Sequence, residues 1–166
     1  MKSSTAPHIR RATAADWPGI WRIFAAVVGA GDTYTYAPDT SEGDARLIWM
    51  GEGFITCVAE REGEIVGTSV VKPNQPGLGA HVANAGYMVR PDAFGGGIGA
   101  ALCEHSMAEA RAAGYRAMQF NAVVSTNTRA IALWERCGFR IIGTIPEGFR
   151  HARLGYVDLH IMFRTL

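Results

Sequence analysis

Apolar and polar residues alternate along this chain with a period that changes several times, and each change marks an element. HIRRAT alternates as a short strand does. Beyond it Trp17, Ile20, Trp21, Phe24 and Val27 recur at helical spacing, which predicts an amphipathic helix with one buried face. Asp16 ahead of it and Pro18 just inside supply the start, because proline's fixed φ and missing N–H cost nothing in a first turn. GAGDTYTYAPDTSE breaks both periods with Gly, Asp, Pro and Thr and reads as a loop, and a second helix follows at about Gly43 to Met50. FITCVAEREGEIVGTSVV and HVANAGYMV are strand-like runs, the first divided by a Glu62-Gly63 hairpin turn.

A glycine cluster comes next, in RPDAFGGGIGAAL. After it Leu102, His105, Ser106, Glu109 and Ala113 fall on a helix that stops at Gly114, a residue suited to a left-handed cap. RAMQFNAVV reads as a strand, TNTRAIALWERCG as a helix ended by glycine, and FRIIGTI and YVDLHIMF as two closing strands. The order β-α-α-β-β-β-α-β-α-β-β predicts an α/β fold on a mixed sheet, with the glycine-rich loop at a strand-to-helix junction near mid-chain. At 166 residues, 48% of them apolar, residues 1–166 form one domain able to bury a real core.

Charge narrows the partners. Sixteen basic and fifteen acidic residues nearly cancel, so no basic stripe points to nucleic acid or a membrane surface, and a small-molecule partner is expected. MKSSTAPHIRRAT lacks the apolar centre of a signal peptide and no apolar run is long enough to span a bilayer, so the expected location is the cytoplasm. Cys57, Cys103 and Cys137 are odd in number, widely spaced and without histidines at ligand spacing. They argue against a disulfide framework and against a metal site, and read as buried, reduced residues.

The glycine cluster carries the first chemistry. A helix start has unpaired N–H groups and the positive end of the helix dipole, and glycine lets a phosphate reach them without meeting a Cβ. A pyrophosphate is the natural guest; a tight turn beneath a closely packed helix is the alternative. Gly95-x-Gly97-x-x-Ala100 also satisfies a dinucleotide-binding fingerprint, but that reading needs a carboxylate about 20 residues on, where Gln119, Phe120 and Asn121 offer none. No Gly-Lys-Ser/Thr follows, so a Walker loop fails too.

A second motif stands one helix and one strand later: Asn127-T-R-Ala130-I-A-Leu133-Trp134-E-R-C-Gly138-Phe139. With VRPDAFGGGIGAAL it resembles the Gcn5-related N-acetyltransferase superfamily, whose acyl-CoA loop usually reads Arg/Gln-x-x-Gly-x-Gly/Ala and whose later helix usually reads Asn-x-x-Ala-x-x-Leu-Tyr-x-x-x-Gly-Phe. Phe94 replaces the customary basic or amide residue, and Trp134 the customary tyrosine. IRRATAAD, the aromatic-threonine loop near Tyr34 and the closing FRH..LGYVDLHIMF are similar to the branch that includes phosphinothricin acetyltransferases.

The resemblance implies an acyl-CoA N-acyltransferase fold and transfer of an acetyl group from acetyl-CoA to a small-molecule amine in a ternary complex. It implies that acetyl-CoA lies where two central strands splay. Tyr87, Met88 and Val89 would offer backbone groups to the pantetheine and thioester, with an N–H near Val89 facing the developing oxyanion. Phe94, Gly95, Gly96, Gly97, Ile98, Gly99 and Ala100 would cradle the pyrophosphate, and Asn127, Ala130 and Trp134 would flank the pantetheine arm. Asn127 also has the position of a helix N-cap, and the two roles can coexist. The resemblance implies no metal, and that homodimers can form.

The base is not settled by the sequence. Asn84 stands where many relatives carry a glutamate; it can orient an amine or a water but cannot take the proton. His81, His151 and Asp158 are the other candidates. Tyr156 or Tyr87 could protonate the departing thiolate, which Trp134 cannot, although a thiolate is a tolerable leaving group unaided. Acceptor recognition would fall to GDTYTYAPD and IPEGFRHARLGY, through Tyr34, Tyr36, Phe149, Arg150, His151 and Arg153, an aromatic and partly basic set suited to an amino acid or analogue. Two readings compete with this one: a non-catalytic acyl-CoA sensor, favoured by Asn84 and Trp134, and a nicotinamide-dependent oxidoreductase.

Overall fold

The helical period from Trp17 becomes α1 (Trp17–Gly29) and the short run after the loop becomes α2 (Glu42–Trp49), started by the Ser41 hydroxyl accepting the Asp44 N–H. The computed structural model describes residues 6–166. The β-branched runs become β1 (His8–Arg11), β2 (Ile55–Arg61), β3 (Glu64–Pro73), β4 (Val82–Val89) and β5 (Ala117–Val124). α3 (Ile98–Ala112) follows the glycines, α4 (Thr128–Arg136) follows β5, and β6 (Arg140–His151) and β7 (Gly155–Thr165) close the chain.

These strands form one seven-stranded sheet ordered β1-β2-β3-β4-β5-β7-β6. Neighbours on it are antiparallel except β4 and β5, which run parallel. Alternation along each strand feeds two layers: on β3, Val70 joins Trp17, Ile20, Phe24, Trp49 and Met88 under α1 and α2, while Val71 joins Cys103, Met107, Met118, Phe120 and Trp134 under α3 and α4. Trp49 anchors the first layer. It is fully buried, meets Phe24 edge-on at 5.9 Å, and donates its indole N–H to Thr68 Oγ1 at 2.9 Å.

Two elements depart from the sequence expectation. The segment read as a loop, IPEGFRHARLGY, is mostly strand, because β6 and β7 stay paired out to His151 opposite Gly155. Pro146 and Gly148 are absorbed in a bulge where Glu147 takes φ 49° and gives its N–H to the Asp158 carboxylate at 2.9 Å. β6 is an edge strand and leaves Ile141, Ile142 and Ile145 exposed. The cysteines carry no disulfide: Cys57 and Cys103 are buried and Cys137 half-buried.

Asp16 holds the N-cap position of α1, with Pro18 in the first turn, but its side chain makes no capping bond to that helix. It closes the preceding turn, accepting the Thr13 N–H at 2.7 Å, and receives both terminal nitrogens of Arg10 at 2.8 Å. The Arg10 guanidinium holds this buried carboxyl down at about 2. Since the folded value lies below the ordinary one, the stabilisation is complete above about pH 4 and is lost as pH falls from there towards 2. Asp16→Asn should therefore cost about 2 kcal/mol at neutral pH and flatten the acid limb of the stability curve, as measured by denaturant unfolding across that range.

Candidate active site

The parallel pairing of β4 with β5 is short. It holds Val82 to Ala117, Ala83 to Met118 and Asn84 to Gln119, and then stops although both strands continue. Asn84 closes the last rung, its Nδ2 donating to the Gln119 carbonyl at 3.0 Å. Beyond this apex β5 follows β7, with a register shift between Phe120 and Val123, and the strands diverge. A cleft of about 1050 Å³ opens between them.

One arm is β4 with the glycine loop and the start of α3. Met88 and Val89 line the cleft, as do Phe94, Gly95, Gly97, Ile98, Gly99 and Ala100. Gly95 and Gly97 have φ of 87° and 71°, and a Cβ on either would meet no protein atom within 4 Å, so the space before them is open cleft. Gly97 is the N-cap residue of α3 and brings no capping side chain, which leaves the first N–H groups of the helix free for a ligand. Gly99 serves packing, for a Cβ there would stand 3.0 Å from Leu133 Cδ2. Gly96 turns away from the cleft; its carbonyl accepts Arg61 Nη2 at 3.0 Å and a Cβ would strike Nη1 at 2.7 Å.

The other arm is β5 and α4. Asn127 both caps α4, its Oδ1 accepting the Ala130 N–H at 3.2 Å, and lines the cleft with Ala130 and Trp134. Trp134 is buried against Tyr87 and Phe120, with ring centroids 4.8 and 5.2 Å away. Arg129 and Arg136 also line this arm, and the Arg129 guanidinium lies 4.8 Å from the centroid of the Phe94 ring. Cation and aromatic face attract each other, so the missing basic residue at position 94 is answered by one from α4.

Towards the apex the wall is formed by the loop after α1 and by the ends of β3 and β5. Tyr34 and Tyr36 stack at 5.7 Å. The Tyr34 hydroxyl donates to the Tyr87 carbonyl at 2.7 Å and accepts the Tyr87 N–H at 2.9 Å. Burial pushes both tyrosine hydroxyls up, so neither is ionised near neutrality. Lys72 comes from β3 and Asn74 follows its end, and Asn121 accepts from Gln119 Nε2 at 2.9 Å and donates to Asn74 Oδ1 at 2.7 Å, a row of amides across the sheet. Asp32 is the carboxylate among the lining residues.

Several residues singled out in the sequence lie elsewhere. His151 is buried at the end of β6, where its Nδ1 accepts the N–H groups of Arg153 and Leu154 and so closes the β6–β7 turn. Tyr156 is 66% exposed and pairs with Arg150 across the hairpin, and Phe149 packs on Val124 and Leu159. None of these four lines the cleft, nor do His81 and Asp158. The Tyr87 hydroxyl, pushed well up by burial, faces α3 and meets Ser106 Oγ at 2.6 Å. The two loops expected to recognise an acceptor do touch, since Ala152 gives its N–H to the Gly31 carbonyl at 2.9 Å.

Sequence reasoning missed Lys72, Asn74, Asn121 and Arg129. Polar residues within or ending apolar strand runs were the available signal for the first three, and the absence of a cation at Phe94 for the fourth. Among the described residues no cluster of His, Cys, Asp or Glu could hold a metal ion, and no helix is long and apolar enough to cross a membrane.

A mixed sheet forked between its central strands, with a glycine-lined helix start on one arm, defines the acyl-CoA N-acyltransferase fold. The acetyltransferase (GNAT) family model matches residues 23–139. A GCN5-related N-acetyltransferase from Kribbella flavida is 47% identical and superposes with a TM-score of 0.92 over 97% of this chain and 98% of that one. A phosphinothricin acetyltransferase from Sinorhizobium meliloti, solved in complex with AcCoA, is 25% identical with a TM-score of 0.84 over 98% and 89% of the two chains. N-acetyltransferase aca1 of Schizosaccharomyces pombe is 37% identical over 98 residues, which make up 58% of this chain and 47% of that protein, so the match spans about half of the yeast relative. This chain belongs to the acetyltransferase (GNAT) family, whose class is that of acetyl-CoA-dependent N-acetyltransferases.

Proposed function

We propose that the cleft moves an acetyl group from acetyl-CoA to the primary amine of a small molecule that also carries an anionic group, as an amino acid or analogue does. The observation that carries this reading is the polarity of the cleft along β4. Lys72 stands opposite Asn84 at the apex. The glycine loop begins beyond Val89, five residues or about 17 Å away at strand rise. That separation suits a donor with its phosphates at the glycines and its thioester near the apex. The cradle fits the phosphates, because the space a Cβ would fill at Gly95 and Gly97 is open and Arg129 and Arg136 add positive charge beside it.

Acetyl-CoA supplies an acyl carbon activated as a thioester and a thiol as leaving group. The chain's own residues supply position and charge. An N–H on the unpaired edge of β4 stabilises the charge that develops on the acyl oxygen. Asn84 keeps its Oδ1 for the acceptor amine, and Lys72 with the Asn74 and Asn121 amides holds the acceptor's anionic group. An aliphatic amine is mostly protonated near neutrality, and Asp32 is the lining carboxylate able to take that proton, directly or through water.

Calorimetric titration with acetyl-CoA, with NAD as the control ligand, tests the donor half; thiol release across amino acids and their decarboxylated amines tests the acceptor half. Acetyl-CoA alone should bind, and amino acids should turn over in preference to the amines. Lys72→Ala should raise KM for the acid acceptors by about 10- to 100-fold, the loss expected for a hydrogen bond to a charged group, and leave acetyl-CoA affinity unchanged. Equal turnover of decarboxylated amines would remove the anionic-acceptor assignment.

A further inference from the structure

Where β5 departs, β4 is left with main-chain groups that have no strand partner, and a buried unpaired N–H or C=O is costly. At Tyr87 one side-chain atom meets both needs. The Tyr34 hydroxyl accepts the N–H and donates to the C=O of the same residue, which a group that is donor and acceptor at once can do. The surroundings are built for this contact. Tyr34 stacks on Tyr36 and meets Trp49 edge-on at 6.1 Å. Below them lies Gly86, where a Cβ would come 3.0 Å from the Trp49 ring and 3.4 Å from the Tyr34 oxygen. Tyr34 belongs to the loop that also brings Asp32 and Tyr36 to the acceptor end of the cleft.

We propose that the Tyr34 hydroxyl is a placeholder for the acyl carbonyl: it holds the Tyr87 N–H in the free protein, and the thioester carbonyl of acetyl-CoA displaces it. The proposal rests on the reading of the β4 edge as the donor strand. Because Tyr34 is part of the acceptor wall, its release rearranges that wall. The acceptor's full site therefore forms after the acyl donor is seated. Tyr34 is a positioning residue, and it stays protonated throughout.

The test compares acetyl-CoA with CoA, which lacks the acyl carbonyl, on wild-type protein and Tyr34→Phe, with Tyr115→Phe, at a half-buried tyrosine that does not line the cleft, as the control for loss of a hydroxyl. Removing the hydroxyl leaves the Tyr87 groups without their partner in the free protein and removes the competitor. Tyr34→Phe should bind acetyl-CoA about fivefold more tightly, with its CoA affinity unchanged and the Tyr115→Phe variant like the wild type. Unchanged or weaker acetyl-CoA binding, or equal tightening of both ligands, would overturn the proposal. A second measurement uses the unaltered protein: the Tyr87 amide resonance should shift with acetyl-CoA and not with CoA, and an unmoved resonance would overturn it as well. Failure of the wild-type protein to bind either ligand is a different result, which removes the donor-strand reading itself.

Discussion

Gly97→Val is expected to lower acetyl-CoA affinity by about 100-fold or more, the cost of losing two charge-assisted hydrogen bonds at the start of α3. Nothing in the protein lies within 4 Å of the Cβ position, so the valine side chain would project into the cleft where a phosphate meets the backbone. The substitution also carries backbone strain, since φ is 71° and a β-branched residue in that region loses about 1–2 kcal/mol. Melting should therefore fall by about 2–8 °C in a chain of this length. Gly114→Val separates the two effects. Gly114 has φ of 89°, is equally open around its Cβ, and ends α3 away from the cleft, so it should show the loss in melting temperature with unchanged acetyl-CoA affinity. Equal affinity losses in both variants would mean that strain, and not occupancy of the cradle, governs binding.

Trp49→Ala should be the most destabilising single change, costing about 3–5 kcal/mol of the roughly 5–15 kcal/mol typical of a folded domain. It empties the centre of the layer under α1 and α2 and takes from the buried Thr68 hydroxyl the indole N–H it accepts. Thr68 keeps its bond to the Cys57 carbonyl, so Trp49→Phe, which refills most of the volume, should cost about 1–2 kcal/mol. Denaturant midpoints measure both. A loss in Trp49→Ala no greater than in Trp49→Phe would show that the layer collapses around the vacancy.

The periodicity of the chain carried the element order because each helix and strand buries one face, and a buried face leaves its period in the sequence. It found both closing strands but ended the first at Ile145, short of His151, for a related reason. β6 is an edge strand exposed on most of its length, so no burial pattern carries it past Ile145, and PEG, which looks like a loop, is a bulge held by Asp158. That segment reads as a loop, which puts Phe149, Arg150, His151 and Arg153 in an acceptor loop; they lie in strand and turn. The glycine loop and Asn127 were legible because backbone conformation and capping restrict residue type locally. Lys72, Asn74, Asn84 and Asn121 were harder to see as a group. Lys72 and Asn84 meet through the register of β3 with β4, and Asn74 and Asn121 through a bond between side chains far apart in the chain, which spacing along one strand does not encode.

Three residue pairs join β4 to β5, whereas the antiparallel pairs on either side, β3 with β4 and β5 with β7, are paired over much of their lengths. Mechanically the sheet is two antiparallel halves sharing one short seam, stitched at its end by the Asn84 amide. A load drawn across the sheet would concentrate there, and the seam would part while the antiparallel pairs stayed zipped. A ligand wedged in the fork touches both halves and lengthens the seam, so the molecule is toughest when its cleft is full.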